Sequence, residues 1–517
     1  MSPGPFPSAC ITSPHHLASA AGLRVLESGG NAMDAAIATN LVLGVVMPYL
    51  CGYGGDLFAI VWDGDIFGYA GAGRAPAEAT PDHLRGAAGA DVMPTFGPLS
   101  VTVPGAVEAW FALLERFGSR SFAELAGPAV RLAREGFELS PQAAASIDRA
   151  RDRYASFPAW QAVYGKASAL GTLRQPALAR AIERIAADGP DTYYRGPIGE
   201  DLVREVRSQG GLLSQDDLAT HAGEWVEPLR TEYRDVEILE LPPPTQGVTV
   251  LEALNILTHA APGGLPPAGA EREHLLLEAT KLALADRDAN VSDPEAMLDI
   301  PARTLASEAW GLERAHRIDP RRSGIPSPGR TAMSGTIYLC AGDAGGMMVS
   351  LIQSNYMGFG SGVTIPEWGV NLQNRGAFFS LDPEHVNVIA PRKRTLHTLI
   401  PGFALLGGSP WMAFGTMGGD GQAQTHVQLL ARMIDDGASP QEAIDAPRWV
   451  VSPGDWSVTM ESRFDPSVVE ELRGRGHRIA VTAPFDSLLG HAHAIQFSRG
   501  GYVAGTDQRC EGAALGF

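Results

Sequence analysis

Apolar positions recur at helical spacing from His16 to Glu27 and again from Asn31 to about Val46. Ser13-Pro14 supplies a cap and a helix-first proline for the first helix, Ser28-Gly29-Gly30 stops it, and Asn31 opens the second. The most apolar stretch, Leu41 to Leu50, is broken by Gly44 and Pro48 and falls short of the roughly 20 residues that span a bilayer. It predicts a buried helix. Leu57 to Trp62 and Asp65 to Tyr69 then flank Asp63-Gly64, a pair suited to the positive backbone angles of a two-residue hairpin turn. From about Ala106 to Leu284 the pattern is mainly helical, with Ser214-Gln215-Asp216-Asp217 resembling a capping box and Glu273 to Arg287 an amphipathic helix. Periodicity disappears over Ile318 to Gly335, a stretch rich in Pro, Gly, Ser and Arg that predicts an exposed loop and the best boundary in the chain. Beyond it the pattern predicts short strands over Thr336 to Ala341, Gly346 to Ser354 and Leu399 to Leu406. A helix from about Gln422 to Asp436 and a short one over Pro440 to Ala446 follow. No internal repeat is found.

Length and charge narrow the function classes. With 517 residues, 45% of them apolar and 19% charged, the chain can bury a large core or two fused lobes, which excludes disorder. The 58 acidic residues against 40 basic ones leave a net charge of -18, so neither nucleic acid nor an anionic membrane surface is an expected partner. Cys10, Cys51, Cys340 and Cys510 form no CxxC pair, which argues against a zinc knuckle or a disulfide framework and fits a reducing compartment. The opening MSPGPFPSAC lacks the basic-then-apolar order of a secretory signal, so a cytoplasmic location is expected.

Familiar catalytic strings are absent: there is no GxSxG, HExxH, P-loop or dinucleotide fingerprint, and no cofactor is expected. His491-Ala492-His493 would set two imidazoles on one face of a strand, but without an evident third ligand they predict packing rather than a metal site. His15-His16, at a helix start, reads as a solvated or capping pair. Ser334-Gly335-Thr336 is more informative, because a flexible loop there ends at a small residue and a hydroxyl residue begins a strand. Alone, such a Gly-Thr is usually just a turn entering a strand. The loop Phe414-Gly415-Thr416-Met417-Gly418-Gly419-Asp420 changes that, since glycine N–H groups between a strand and a helix can converge on an oxyanion.

The chain resembles the gamma-glutamyltranspeptidase family of N-terminal-nucleophile hydrolases. The matching stretches are Gly29 to Ala36, Gly52-Tyr53-Gly54-Gly55-Asp56, Val103 to Val107, Pro242-Pro243-Pro244-Thr245-Gln246-Gly247, Phe359-Gly360-Ser361-Gly362 and Gly415 to Asp420. The resemblance implies an α+β fold, a four-layer αββα sandwich, built from a large subunit (residues 1–335) and a small subunit (residues 336–517) that together make one intertwined domain. It implies self-cleavage between Gly335 and Thr336 and Thr336 as nucleophile, its freed amine serving as general base. Ser354 would orient that hydroxyl, and Gly418 and Gly419 would supply the backbone oxyanion donors. The partners implied are a small amide substrate and the companion subunit, with room for a homo-oligomer of such heterodimers.

Departures from the family pattern bear on the substrate. The arginine that clamps a glutamyl carboxylate falls at Ala72, with Arg74 the nearest arginine. The Gln and Asp that hold the glutamyl amine align with Arg375 and Phe378, the paired serines with His397-Thr398, and an Asn with Tyr356. Replacing an acidic amine partner by Phe would leave a buried ammonium unpaired, at a cost of about several kcal/mol. Arg375, with Tyr356, His397, Thr398 and Arg74, therefore predicts an acyl group carrying a carboxylate or carbonyl and no α-amine, as in the oxamate amidohydrolase branch that the remaining motifs resemble. The bland alternative is that Arg375 pairs with an acidic residue of the protein. A true gamma-glutamyltransferase or glutathione hydrolase, a cephalosporin-type acylase, and a processing-defective member without activity remain the competing readings.

Overall fold

The structure, a computed structural model, describes residues 4–326 and 335–517. Residues 327–334 of the expected cleavage loop lie outside the described residues. Strand β1 (Cys10–Ser13) leads into helices α1 (His16–Glu27) and α2 (Ala32–Val46), then strands β2 (Asp56–Trp62) and β3 (Ile66–Gly71). Helix α3 (Ala106–Phe117) opens a largely helical stretch that gives way to β4 (Glu224–Val226), β5 (Leu229–Tyr233) and β6 (Val236–Glu240), followed by α4 (Gly247–Ala260) and α5 (Ala270–Asn290). After the linker come β7 (Gly335–Gly342), β8 (Met348–Tyr356), β9 (Gly402–Leu406), β10 (Ser409–Thr416), α6 (Gly421–Asp435), β11 (Ala492–Ser498), β12 (Gly501–Thr506) and β13 (Ala513–Gly516).

The two largest sheets among the described residues run in the orders β13-β1-β7-β8-β2-β3-β4 and β12-β11-β10-β9-β6-β5. They stack through Phe58, Tyr338, Ile352, Phe403, Ala413 and Ile495. Leu57, Ala59 and Val61 point from β2 the other way, into a core shared with α1, α2 and α3. Met412 and Phe414 of β10 likewise face the core shared with α4, α5 and α6. Helices thus cover both outer faces, giving the expected four α, β, β, α layers. Because β2 is buried on both faces, it reads as a continuous apolar run rather than an alternation. Both sheets mix strands from either side of Gly335, so the segments 1–335 and 336–517 share both sheets. All fifteen residues of α2 are buried, as expected for its apolar run, and Asn31 and Asp34 close a capping box at its start. No described helix is long and apolar enough to cross a membrane.

Four details depart from the sequence pattern. The cap of α1 is His15, whose Nδ1 accepts from the Leu17 N–H at 3.2 Å, while Ser13 ends β1. The β2–β3 connection is Asp63-Gly64-Asp65, closed by the Asp63 N–H on the Asp65 carbonyl at 3.0 Å, one residue longer than a two-residue turn. The span read as mainly helical contains β4, β5 and β6; β5 is only LRTEY, a period-two alternation too brief to register in a helix-length window. Finally, α5 is buried around most of its circumference, including His274, Glu278, Lys281 and Arg287, rather than presenting a polar face to water.

Candidate active site

Thr336 is the second residue of β7, and Ser354 lies on the adjacent β8. The pairing runs regularly to Gln353 opposite Ile337 and then slips, so that Tyr356 faces Gly335. This bulge adds a residue to β8, and Tyr356 takes a left-handed φ of 74° to accommodate it. Its consequence is local: the Ser354 hydroxyl lies between two groups. Thr336 Oγ1 donates to Ser354 Oγ at 3.2 Å, the Tyr356 N–H donates to the same oxygen at 2.7 Å, and Ser354 Oγ donates to the Gly335 carbonyl. Gly335 is itself boxed in, since a Cβ there would stand 2.9 Å from the Tyr49 carbonyl and 3.0 Å from the Gly358 nitrogen. Both sides of the Gly335–Thr336 peptide are buried.

The glycine loop leaves the end of β10 that lies over β7: the Tyr338 ring covers Gly415, where any side chain would collide with it. Gly418 has φ 140° and Gly419 φ 59°, conformations that favour glycine. Their carbonyls accept from the first N–H groups of α6, at 2.9 Å from Gly421 and 3.1 Å from Gln422. Neither glycine's own N–H has an acceptor among the described residues. The loop is pinned from the large segment. Gln246 Nε2 donates at 2.9 Å to both the Thr398 and Gly419 carbonyls, and Arg287 Nη1 donates to Gln246 Oε1 at 2.5 Å and Asp420 Oδ1 at 2.6 Å.

A third group adjoins these two. Arg375 is 1% exposed, stacks its guanidinium 3.7 Å over the Tyr356 ring and donates from Nη2 to Thr398 Oγ1 at 3.3 Å. Its Nε and Nη1 have no hydrogen-bond partner among the described residues. Asp56 stands opposite Ser354 in the β2–β8 ladder, and its Oδ2 meets His397 Nε2 at 3.1 Å. Since His397 Nδ1 accepts from the Leu399 N–H, Nε2 carries the hydrogen and donates it to Asp56. Burial pushes the Asp56 carboxyl up to about 7, against the pull of Arg375 and the Gly73 and Gly105 N–H groups. Burial and then Arg375 hold His397 well below the ordinary imidazole range. Burial lowers Arg375 to about 10, partly offset by Tyr356, Asp56 and Asp420. The electrostatic reach of Arg375 to Asp420 links this pocket to the glycine loop.

The structure thus brings together Thr336, Ser354, Gly335, Tyr356, Arg375, His397 and Thr398, with Gly418 and Gly419 at the same end of the sandwich. Arg74 stands apart from them. It is one-third exposed and engages Glu224, Asp293 and the Arg392 carbonyl at the rim of a separate cavity of about 390 Å³. His491 precedes β11 and bonds Ser487, whereas His493 bonds Thr12 and Thr506, so the two serve as packing and hydrogen-bonding groups. Asp56, Gln246 and Arg287 carry parts of the site that residue-level reading did not assign. The first two sit inside quoted motifs, but their partners lie 341 and 152 positions away.

Comparison with known proteins accords with this geometry. The family model described as gamma-glutamyltranspeptidase matches residues 18–517. The chain is 38% identical to the glutathione hydrolase-like YwrD proenzyme of Bacillus subtilis (strain 168), over 98% of both chains. It is 36% identical to the oxamate amidohydrolase proenzyme of Klebsiella pneumoniae, again over 98% of both. The crystal structure of cephalosporin acylase from Bacillus halodurans superposes with a TM-score of 0.93 at 36% identity, covering 100% of this chain and 98% of that one.

Proposed function

The chain belongs to the gamma-glutamyltranspeptidase family, and on that premise we propose that it is a proenzyme that cuts itself between Gly335 and Thr336 and then hydrolyses small anionic amides through an ester on Thr336. The observation that carries this reading is the Ser354 hydroxyl, which accepts from Thr336 Oγ1 while donating to the Gly335 carbonyl. Those two bonds align a proton path from the attacking oxygen to the carbonyl oxygen under attack. The Thr336 oxygen bonds to the Gly335 carbonyl carbon and the peptide C–N bond breaks, leaving an ester and a free α-amine. Water then hydrolyses the ester, releasing the Gly335 carboxylate and restoring the hydroxyl.

In turnover the Thr336 amine, with a reference pKa of about 7.7–8.0, takes the hydroxyl proton as the oxygen attacks the substrate amide. The Gly418 and Gly419 N–H groups, without acceptors among the described residues, are available to the resulting oxyanion. The proton passes to the departing nitrogen, and water releases the acid from the ester. Arg375 supports an anionic acyl group, because a buried guanidinium with two nitrogens unpaired among the described residues is costly unless a ligand completes it. The relative named oxamate amidohydrolase proenzyme favours the same substrate class.

A denaturing gel of purified protein should show fragments of 335 and 182 residues, the counts on either side of Gly335–Thr336 in the 517-residue chain. Ammonia release from a panel of oxamate, dicarboxylic monoamides, neutral amides and gamma-glutamyl amides should favour the first two. An intact chain that still hydrolyses amides would sink the mechanism, and a preference for gamma-glutamyl or cephalosporin side-chain amides would sink the substrate assignment.

A further inference from the structure

The loop that precedes the scissile bond is exposed in sequence character yet fastened along its described half. Its anchor is a buried chain of side chains on α5 and the C-terminal segment. Lys281 Nζ donates to His477 Nδ1 at 3.2 Å, which leaves the His477 hydrogen on Nε2, 2.8 Å from His274 Nδ1. His274 then carries its own hydrogen on Nε2, 2.8 Å from the Asp319 carbonyl. Every tautomer in the chain follows from the ammonium at its head. His477 stays neutral, its basicity lowered to about 3 by burial, Lys281, His274 and Arg475 in that order.

The same cluster grips the next residues. Lys281 Nζ also donates to Ser323 Oγ at 2.7 Å, Glu278 accepts from the Gly324 N–H at 2.7 Å, and Trp456 Nε1 donates to the Pro326 carbonyl at 2.9 Å. His274, Glu278 and Lys281 belong to α5, whereas Trp456 and His477 lie on the far side of Thr336 in the chain. We propose that the Lys281–His477–His274 chain is a clasp that fixes residues 319–326 against the C-terminal segment and thereby positions the linker for self-cleavage, making these three positioning residues for processing. This inference rests on the self-cleavage reading. A metal ion fits the cluster less well, although His274, Glu278 and His477 bring three ligand atoms within 4.8 Å. A metal would need lone pairs where the two imidazoles share a proton, beside an ammonium that repels it.

The expected size of the effect follows from loop length. Gly335 is nine positions from Pro326 and twenty from Ala315, the end of the preceding helix. Losing every anchor of residues 319–326, the Trp456 bond to Pro326 and the Arg475 contacts to Pro320 and Ser323 included, would about double the free span, and each doubling makes closure about threefold less favourable. His477→Phe and the double variant Lys281→Met/Glu278→Gln, which removes the buried charge pair together, should therefore self-cleave more slowly than wild type, by up to about threefold, in full-length chains followed on gels, and adding Trp456→Phe should bring the loss to about that size. Lys281→Arg should recover much of the rate. Once cut, the variants should hydrolyse amides at wild-type kcat/KM per active site, with a thermal midpoint near wild type. Wild-type cleavage rates in both variants would overturn the clasp while leaving self-cleavage intact. Equal losses of cleavage and turnover would overturn it as general damage to the fold. Stoichiometric zinc in the purified chain, with cleavage slowed by chelation, would overturn it in favour of a metal site. A wild-type chain that never cuts would remove both readings.

Discussion

The reacting end of the site and the pocket beside it are built on opposite terms. Around Gly335–Thr336 the Thr336 and Ser354 hydroxyls are joined in one chain: threonine to serine, serine to carbonyl, backbone N–H to serine. Around Arg375, burial is just as complete, but two guanidinium nitrogens lack partners among the described residues and the nearby carboxylate, Asp56, is committed to His397. On the proposed mechanism the first arrangement is finished before substrate arrives, as a group that acts first on its own chain requires, and the second is finished by the substrate's carboxylate. Reaction geometry and acyl recognition should therefore fail separately when each is altered.

The largest effect should come from Thr336. Thr336→Ala should remain a single chain on a denaturing gel with no detectable amide hydrolysis, whereas Thr336→Ser, which keeps a hydroxyl, should retain some cutting. A cut, active Thr336→Ala protein would move the nucleophile elsewhere. Gly419→Val comes next. A β-branched residue at φ 59° is strained and crowds the position offered to the oxyanion, so turnover should fall by about 10²–10³ in folded protein. Near-normal kcat would remove Gly419 from the site.

The contrast between the two regions also explains what could be read in the sequence. The glycine loop and the Gly-Thr junction are local strings, and β7, β10 and α6 announce themselves around them by apolar runs and glycine turns. Asp56 and Gln246 lie in equally conspicuous strings, yet their roles depend on partners that only the stacked sheets bring near. Arg74 shows the converse. It stands two residues from Ala72, the position of the clamping arginine, but the chain turns it toward Glu224 and Asp293 instead. Strands β4 to β6 escaped notice because short, half-polar strands between helices carry little periodic signal.

Arg375→Met separates recognition from reaction. Loss of charge-assisted bonds worth about 1.5–3 kcal/mol should raise KM for an anionic amide about 10- to 100-fold, with kcat and the KM of a neutral amide changed much less. Self-cleavage should persist, since it does not involve a substrate carboxylate. Equal losses for anionic and neutral amides would assign Arg375 a structural role.

The smallest expected effect is a pH dependence carried by Asp56. Its proton is held more tightly in the fold than in the unfolded chain, so its contribution to stability is full below about pH 4 and is lost as pH rises through about 7. The same ionisation bears on binding. The groups facing it are Arg375, His397, Tyr193 and the N–H groups of Gly73 and Gly105, with Asp420 acting on Arg375 from the glycine loop. Below about pH 7 a neutral Asp56 leaves the Arg375 charge for substrate; above it, the carboxylate competes. With a coupling of about half a pK unit, KM for an anionic amide should rise about threefold across that range, while KM for a neutral amide stays level. On the proposed mechanism the freed Thr336 amine acts on kcat and not on this KM, which keeps the two apart. Asp56→Asn retains an acceptor for the His397 hydrogen but cannot ionise, so it should flatten the KM profile and leave the kcat limb in place. A KM that rises equally for both amides, or a profile unchanged in Asp56→Asn, would show that Asp56 holds His397 in place without setting the charge that substrate meets.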